Sequence, residues 1–290
     1  VAVTDGRNSD SLMSVVFLAD FFSHQINGGG ENNDAVLIEY LRSRGLIIDL
    51  VHTQKITKEV LDSADKIIVS NFVLLSPEIK DYIRENCDYI IYEHDHKYVK
   101  TRDPSRFIGF SIPPSQLVNT EFYKGATAVV VLSEICKQVM EDNVGNTNVH
   151  SIGSSLWSQE KIAFLRECDK KKTKEFAIVN SSNPTKGRDA AVALCKKRGI
   201  EFDLISSSDQ YEFLKTLSQY DSLVFIPQVL ETFCRLIAEA KMLNCKVYTN
   251  PKLIGLMSEP YGNLSGGELI DVLEKKVAEA LEYFYGIVTT

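Results

Sequence analysis

"PQVLETFCRLIAEAKMLNCKVYTN" occupies residues 227–250. After the proline and a short loop, Phe233, Leu236, Ile237, Ala240 and Leu243 recur at i, i+3, i+4, i+7 and i+10. That spacing predicts an amphipathic helix over 232–243, with Thr232 as its N-cap. "DSLVFI" (221–226) before it and "CKVYTN" (245–250) after it read as strands, so the stretch is one strand–helix–strand unit. Two carboxylates bracket the helix start. Glu231 lies in the loop, and Glu239 falls at the margin of the apolar stripe, about 40° from Leu243 at roughly 100° per residue. The amides of Phe233, Cys234 and Arg235 begin the helix without intrahelical partners, and the dipole adds about half a positive charge there. An anion site flanked by two hydroxyl-accepting carboxylates suits a phosphorylated sugar. An E-x7-E spacing alone is weak, because glutamates near a helix start are favourable with the dipole in any case.

The same alternation extends in both directions. "VVFLA" (15–19), "LIIDLV" (46–51), "KIIVS" (66–70), "DYIIY" (88–92), "TAVVVL" (127–132) and "NVHSI" (148–152) read as strands. They are almost wholly apolar, as in parallel sheets covered on both faces. Helices are predicted over 34–44, 77–86 and 114–123, and after Ser133. A second series follows, with strands at 175–180 and 200–206 and helices near 187–198 and 209–219. Alternating β and α units imply doubly wound sheets. The boundary is placed near 155, giving domains 1–155 and 156–290, with a closing helix after Gly267 that packs back on the first domain. Two such domains leave a cleft between them, where ligands usually bind.

The bulk numbers agree with an ordinary globular chain of 290 residues, 44% hydrophobic and 24% charged. No apolar run reaches the length of a membrane span. "VAVTDGRNSD" (1–10) has neither the basic start nor the apolar core of a signal peptide. The six cysteines are scattered without metal-ligand spacing, which points to free thiols in a reducing, cytoplasmic compartment. The net charge of −7 gives no bulk attraction to nucleic acid.

The order strand, proline, loop, Glu231-x-Phe233, helix, Glu239-Ala240, strand resembles the nucleotide-sugar site of GT-B fold retaining glycosyltransferases of the family 4 type. Gln228, Cys234 and Asn244-Cys245-Lys246 depart from that family's pattern. The resemblance implies two Rossmann-like doubly wound domains facing a cleft. It also implies that Glu231 binds donor-sugar hydroxyls and Glu239 the ribose, with Thr232, Phe233 and Cys234 at the diphosphate. "NSSNPTKGRDAAVAL" (180–194) matches the family's basic segment at Lys186-Gly187, but Asn180 or Ser181 stands where an arginine is usual. Arg188 or Arg235 is the candidate replacement. Gly28, Gly29 and Gly30 of "INGGGENND" (26–34) resemble the family's first glycine-rich loop and let the backbone approach a ligand.

In "YEHDHKYVKTRDPSRF" (92–107), His94, or else His96, takes the place of a histidine that touches the donor sugar. Lys97, Lys100, Arg102 and Arg106 give this segment positive charge for a phosphate-bearing acceptor. The resemblance therefore implies an enzyme that carries sugar from a nucleoside diphosphate donor, UDP-sugar first among them, with no tightly bound cofactor and no obligatory metal. A further likeness, over "EHDHKY", "FYKGATAVVVLSE" and "GSSLW", is to glycosyltransferases of tailed bacteriophages, some of which modify hydroxymethylcytosine in DNA; such a protein would work in the host cytoplasm. Hydroxymethylated DNA, a glycan and a small molecule remain the acceptor classes. A GT-B nucleotide-sugar epimerase and a non-catalytic sugar-nucleotide module are the rival functions.

Overall fold

A computed structural model describes residues 13–145 and 147–290; the opening "VAVTDGRNSD" lies outside them. Among the described residues, ten parallel strands form two sheets. The first contains β1 (Ser14–Ala19), β2 (Ile47–His52), β3 (Lys66–Val69), β4 (Tyr89–Tyr92), β5 (Ala128–Val131) and β6 (Val149–Ser151) in the order β2-β1-β3-β4-β5-β6. The second contains β7 (Lys174–Val179), β8 (Asp203–Ile205), β9 (Tyr220–Val224) and β10 (Lys246–Tyr248) in the order β10-β9-β7-β8. Connecting them are α1 (Gly29–Ser43), α2 (Lys58–Asp62), α3 (Pro77–Asn86), α4 (Thr120–Gly125), α5 (Glu134–Val144), α6 (Gln159–Glu167), α7 (Arg188–Arg198), α8 (Gln210–Ser218), α9 (Arg235–Met242) and α10 (Gly266–Thr289).

The strand period of two explains the double-sided core. Val15, Phe17 and Ala19 of β1 enter one apolar cluster, while Val16 and Leu18 enter another on the opposite face. The first cluster is continuous with Leu223, Phe233 and Ile237 of the second half through Trp157 and the apolar stripe of α10. Near its C-terminal end, α10 packs on the first sheet: Phe284 meets Tyr92 edge-on at 4.7 Å, and Tyr283 stacks on His150 at 3.8 Å.

Several elements differ from the sequence expectation. The first helix starts at Gly29, not residue 34, so the triple glycine is an N-cap and a first turn rather than a loop. Its close fit explains this: a Cβ on Gly30 would lie 3.2 Å from His94 Cγ. The helix expected over 114–123 is split into a short 3₁₀ turn (Pro114–Gln116) and α4, with Asn119 between them at φ 57°. Just after the boundary placed near 155, where no helix is expected from the sequence, lies α6, capped by Ser158 accepting from the Lys161 amide. Helix α9 starts at Arg235, because Cys234 takes φ 73° and Thr232 is drawn away to bond another segment.

Strand order reverses around β1 and β3 in the first sheet and around β7 and β9 in the second, which opens a crevice at their carboxyl ends. Gly187 makes the turn after β7 at φ 66°, and a Cβ there would fall 1.6 Å from the Ile226 carbonyl oxygen. Gly187→Ala is expected to cost at least about 2 kcal/mol, since left-handed strain adds to a backbone clash. Urea unfolding checks this; a midpoint equal to wild type would contradict it.

Candidate active site

Loops from the carboxyl ends of both sheets enclose a cleft of about 460 Å³. Residues 27–30, 32 and 33 and His94 line it from the first half. Ser181, Lys186, Ser207, Gln210 and residues 231–236 line it from the second. Among the described lining residues, the charged side chains are Lys161, Lys186, Arg235, Glu231 and Glu239. Three cations against two carboxylates leave the cleft positive in an acidic chain, which favours an anionic ligand.

Lys186 and Glu231 meet directly, Nζ donating to Oε1 at 2.7 Å. They follow β7 and β9, the neighbouring strands at the reversal of the second sheet. Burial works against the Lys186 charge, but the facing Glu231 carboxylate outweighs it and holds the ammonium above its usual value. The Glu231 backbone is clamped as well, its N–H donating to Leu253 O and its carbonyl accepting from Gly255 N–H.

Glu239 is more enclosed than a position at the margin of the stripe suggested, at 8% exposure. Its Oε1 accepts from Trp157 Nε1 at 2.9 Å and lies 3.7 Å from Arg235 and 3.8 Å from Lys161. All three donors address the same oxygen, which leaves Oε2 with unused acceptor capacity.

Arg235 lines the cleft, whereas Arg188, the other candidate for the absent cation, turns to Asp189 and Asn180. The Arg235 guanidinium stacks over Trp157 at 4.8 Å and donates to Asn33 Oδ1 and Leu156 O. Lys161 is a cleft cation that motif reading missed. Its Nζ bonds Gln210 Oε1, and burial pushes its pKa down, opposed in part by Glu239. No motif marks it in the sequence: it lies between the two strand series, just after the boundary placed near 155.

The turn at 232–234 departs from the expected cap. Thr232 Oγ1 donates to the His94 carbonyl at 3.0 Å instead of capping α9. The Phe233 ring is fully buried, edge-on to Trp157. Cys234 holds the left-handed N-cap position, and burial pushes its thiol up. The amides that open α9 are therefore those of Arg235, Leu236 and Ile237.

His94 borders the cleft, with Nε2 at 2.7 Å from Asp34 Oδ1. His96 does not. It is 2% exposed, with its pKa lowered by burial to about 4, and lies between Tyr98 and the Leu230 carbonyl. Lys97 is also buried, where Glu93 and Asp95 hold its ammonium; neither residue is open to an acceptor. A charge run in sequence thus includes an internal ion cluster, since a buried ammonium must be paired. Lys100, Arg102 and Arg106 are exposed and outside the cleft lining, with Arg102 paired to Asp95 and Arg106 to Asp103. Among the described residues, no three His, Cys, Asp or Glu side chains cluster to hold a metal, and no helix is long and apolar enough to cross a membrane.

No protein-family model matches the sequence, and no curated protein matches it significantly. Solved structures do match. One is an alpha-glucosyltransferase in complex with UDP and a 13-mer DNA containing a HMU base, at TM-score 0.52 and 10% identity, over 97% of this chain and 100% of that one. Another is Anabaena Alr3699/HepE in complex with UDP, at TM-score 0.52 and 13% identity, over 95% and 92% of the two chains. At these identities the likeness is one of fold. Two parallel α/β halves with a cleft at their carboxyl ends, matched over nearly the full length of glycosyltransferase structures, make this a GT-B fold.

Proposed function

We propose that the chain transfers a sugar from a UDP-sugar to an acceptor hydroxyl, with retention at the anomeric carbon. The observation that carries this reading is the Lys186–Glu231 pair at the reversal of the second sheet, facing the start of α1 and His94 across one cleft. An entering diphosphate replaces Glu231 as the partner of Lys186 and takes the amides opening α9, which frees Glu231 to hold sugar hydroxyls. The unused oxygen of Glu239 accepts from the ribose. Arg235 and Lys161 supply positive charge where the family's arginine is absent. Electrostatic placement of this kind is worth about 3–4 kcal/mol per donor when charge builds on the leaving group.

The acceptor oxygen bonds to the anomeric carbon as the bond to the β-phosphate oxygen breaks, and the acceptor proton passes to the departing phosphate. With donor bound, Glu231 is taken up by the sugar hydroxyls and Glu239 by Trp157 and the ribose, so this reading assigns neither as a separate covalent nucleophile. In this reading no divalent ion is required, and chelator leaves the rate unchanged. Each sheet with its helices acts as one domain, and the connection near 155 is the hinge on which the cleft closes.

For the acceptor we favour hydroxymethylated cytosine in DNA. The phage-type resemblance supports it, as does a fold neighbour bound to DNA with a modified base. Exposed Lys100, Arg102 and Arg106 offer contacts to phosphates.

Glu231→Ala is expected to lower transfer at least about 100-fold while leaving the unfolding midpoint nearly unchanged. Donor consumption with and without acceptor is the measurement, and an unchanged rate removes Glu231 from the mechanism. Donor converted in the absence of acceptor would indicate an epimerase; donor bound but never consumed would indicate a binding module. Nucleoside mass spectrometry on a hydroxymethylcytosine duplex incubated with a panel of donors should find an added hexose or pentose. No mass gain across the panel would rule DNA out as the acceptor.

A further inference from the structure

Helix α1 carries a buried carboxylate to which the proposed reaction assigns no role. Asp34 is 1% exposed, and both its oxygens are engaged. Oδ2 accepts from Ser70 Oγ at 2.6 Å, and Oδ1 lies 2.7 Å from His94 Nε2. Among the described residues, no lysine or arginine forms an ion pair with it. An aspartate in this setting is an acceptor on both sides, so the histidine nitrogen facing it must carry a proton.

The ring is fixed in other ways too. It lies 4.2 Å from the Tyr92 ring, and Gly30 of α1 packs so closely that a Cβ there would approach His94 Cγ to 3.2 Å. The His94 side chain is 5% exposed, and its other nitrogen, Nδ1, is buried without a hydrogen-bond partner among the described residues. A buried polar atom without a partner is costly, and one belonging to a cleft residue is explained if a bound molecule supplies the partner.

We propose that Asp34 is a positioning residue: it keeps the proton of neutral His94 on Nε2, so that Nδ1 offers its lone pair to a hydroxyl of the bound sugar. Ser70 assists by holding the second carboxylate oxygen. This inference rests on the transferase reading for the identity of the ligand, but the tautomer itself does not depend on it.

The first test is therefore made without substrate. Nitrogen NMR of histidine-labelled protein at pH 8, with the His94 signals assigned by their loss in His94→Ala, should give the Nε2–H tautomer in wild type. An Nδ1–H ring would overturn the proposal. Next, Asp34→Asn should abolish that preference and lower kcat about 100-fold or more, with the donor KM within about 3-fold of wild type. Asp34→Asn combined with His94→Ala should be no slower than His94→Ala alone. A near-wild-type kcat for Asp34→Asn, or single effects that multiply in the double variant, would also overturn it. Should Asp34→Asn fail to fold, Ser70→Ala removes the supporting bond, and a kcat lowered several-fold at constant KM is expected; an unchanged kcat argues against the arrangement. Wild type that consumes no donor would strike the transferase reading and leave the tautomer result standing.

Discussion

Leu230 to Phe233 is held by bonds to parts of the chain far apart in sequence. The Leu230 carbonyl accepts from His96 Nε2, and the Glu231 amide donates to Leu253. Thr232 donates through Oγ1 to His94 and accepts at its carbonyl from Ser133 Oγ. The Phe233 carbonyl accepts from the Leu256 amide. Four residues, Leu230 to Phe233, thus tie the loop after β9 to loops of both halves, and a Cβ on Gly255 would come within 2.0 Å of the Thr232 oxygen. Directly after this tied stretch the backbone takes its left-handed turn at Cys234, and α9 starts. Non-glycine residues take this conformation at a cost of about 1–2 kcal/mol, which the surrounding bonds must offset.

Charge in this protein follows enclosure more than sequence. The segment after β4 is rich in lysine and arginine, yet Lys97 points inward, bridging Glu93 and Asp95. Burial opposes its charge, but the two carboxylates outweigh that and hold its pKa above the usual value. Glu93 is raised by burial and also accepts from Tyr123. The cleft has the opposite character. Lys161, Lys186 and Arg235 come from α6, the turn after β7 and α9, so a positive surface is assembled from elements that carry no shared motif. Asp34 belongs to a third pattern, a buried carboxylate whose hydrogen-bond partners are a histidine and a serine.

Period and spacing in the sequence determined a good deal. Apolar β-branched runs alternating with helical stretches dictated two parallel sheets, because only strands covered on both faces remain apolar at every position. Glu231, Glu239 and Lys186, marked by spacing and motif, do line the cleft: Glu231 and Lys186 follow strands at their carboxyl ends, and Glu239 lies on α9. Tertiary structure alone decided the rest. Whether the glycines at 28–30 form a loop or a helix start depended on His94 packing against Gly30. The start of α9 depended on where the Thr232 hydroxyl found its acceptor, and the roles of Lys161 and Asp34 depended on partners 49 and 60 residues away. Local pattern records which face of an element is apolar; it does not record which distant side chain will meet a buried polar or charged group, because that pairing exists only in the folded chain.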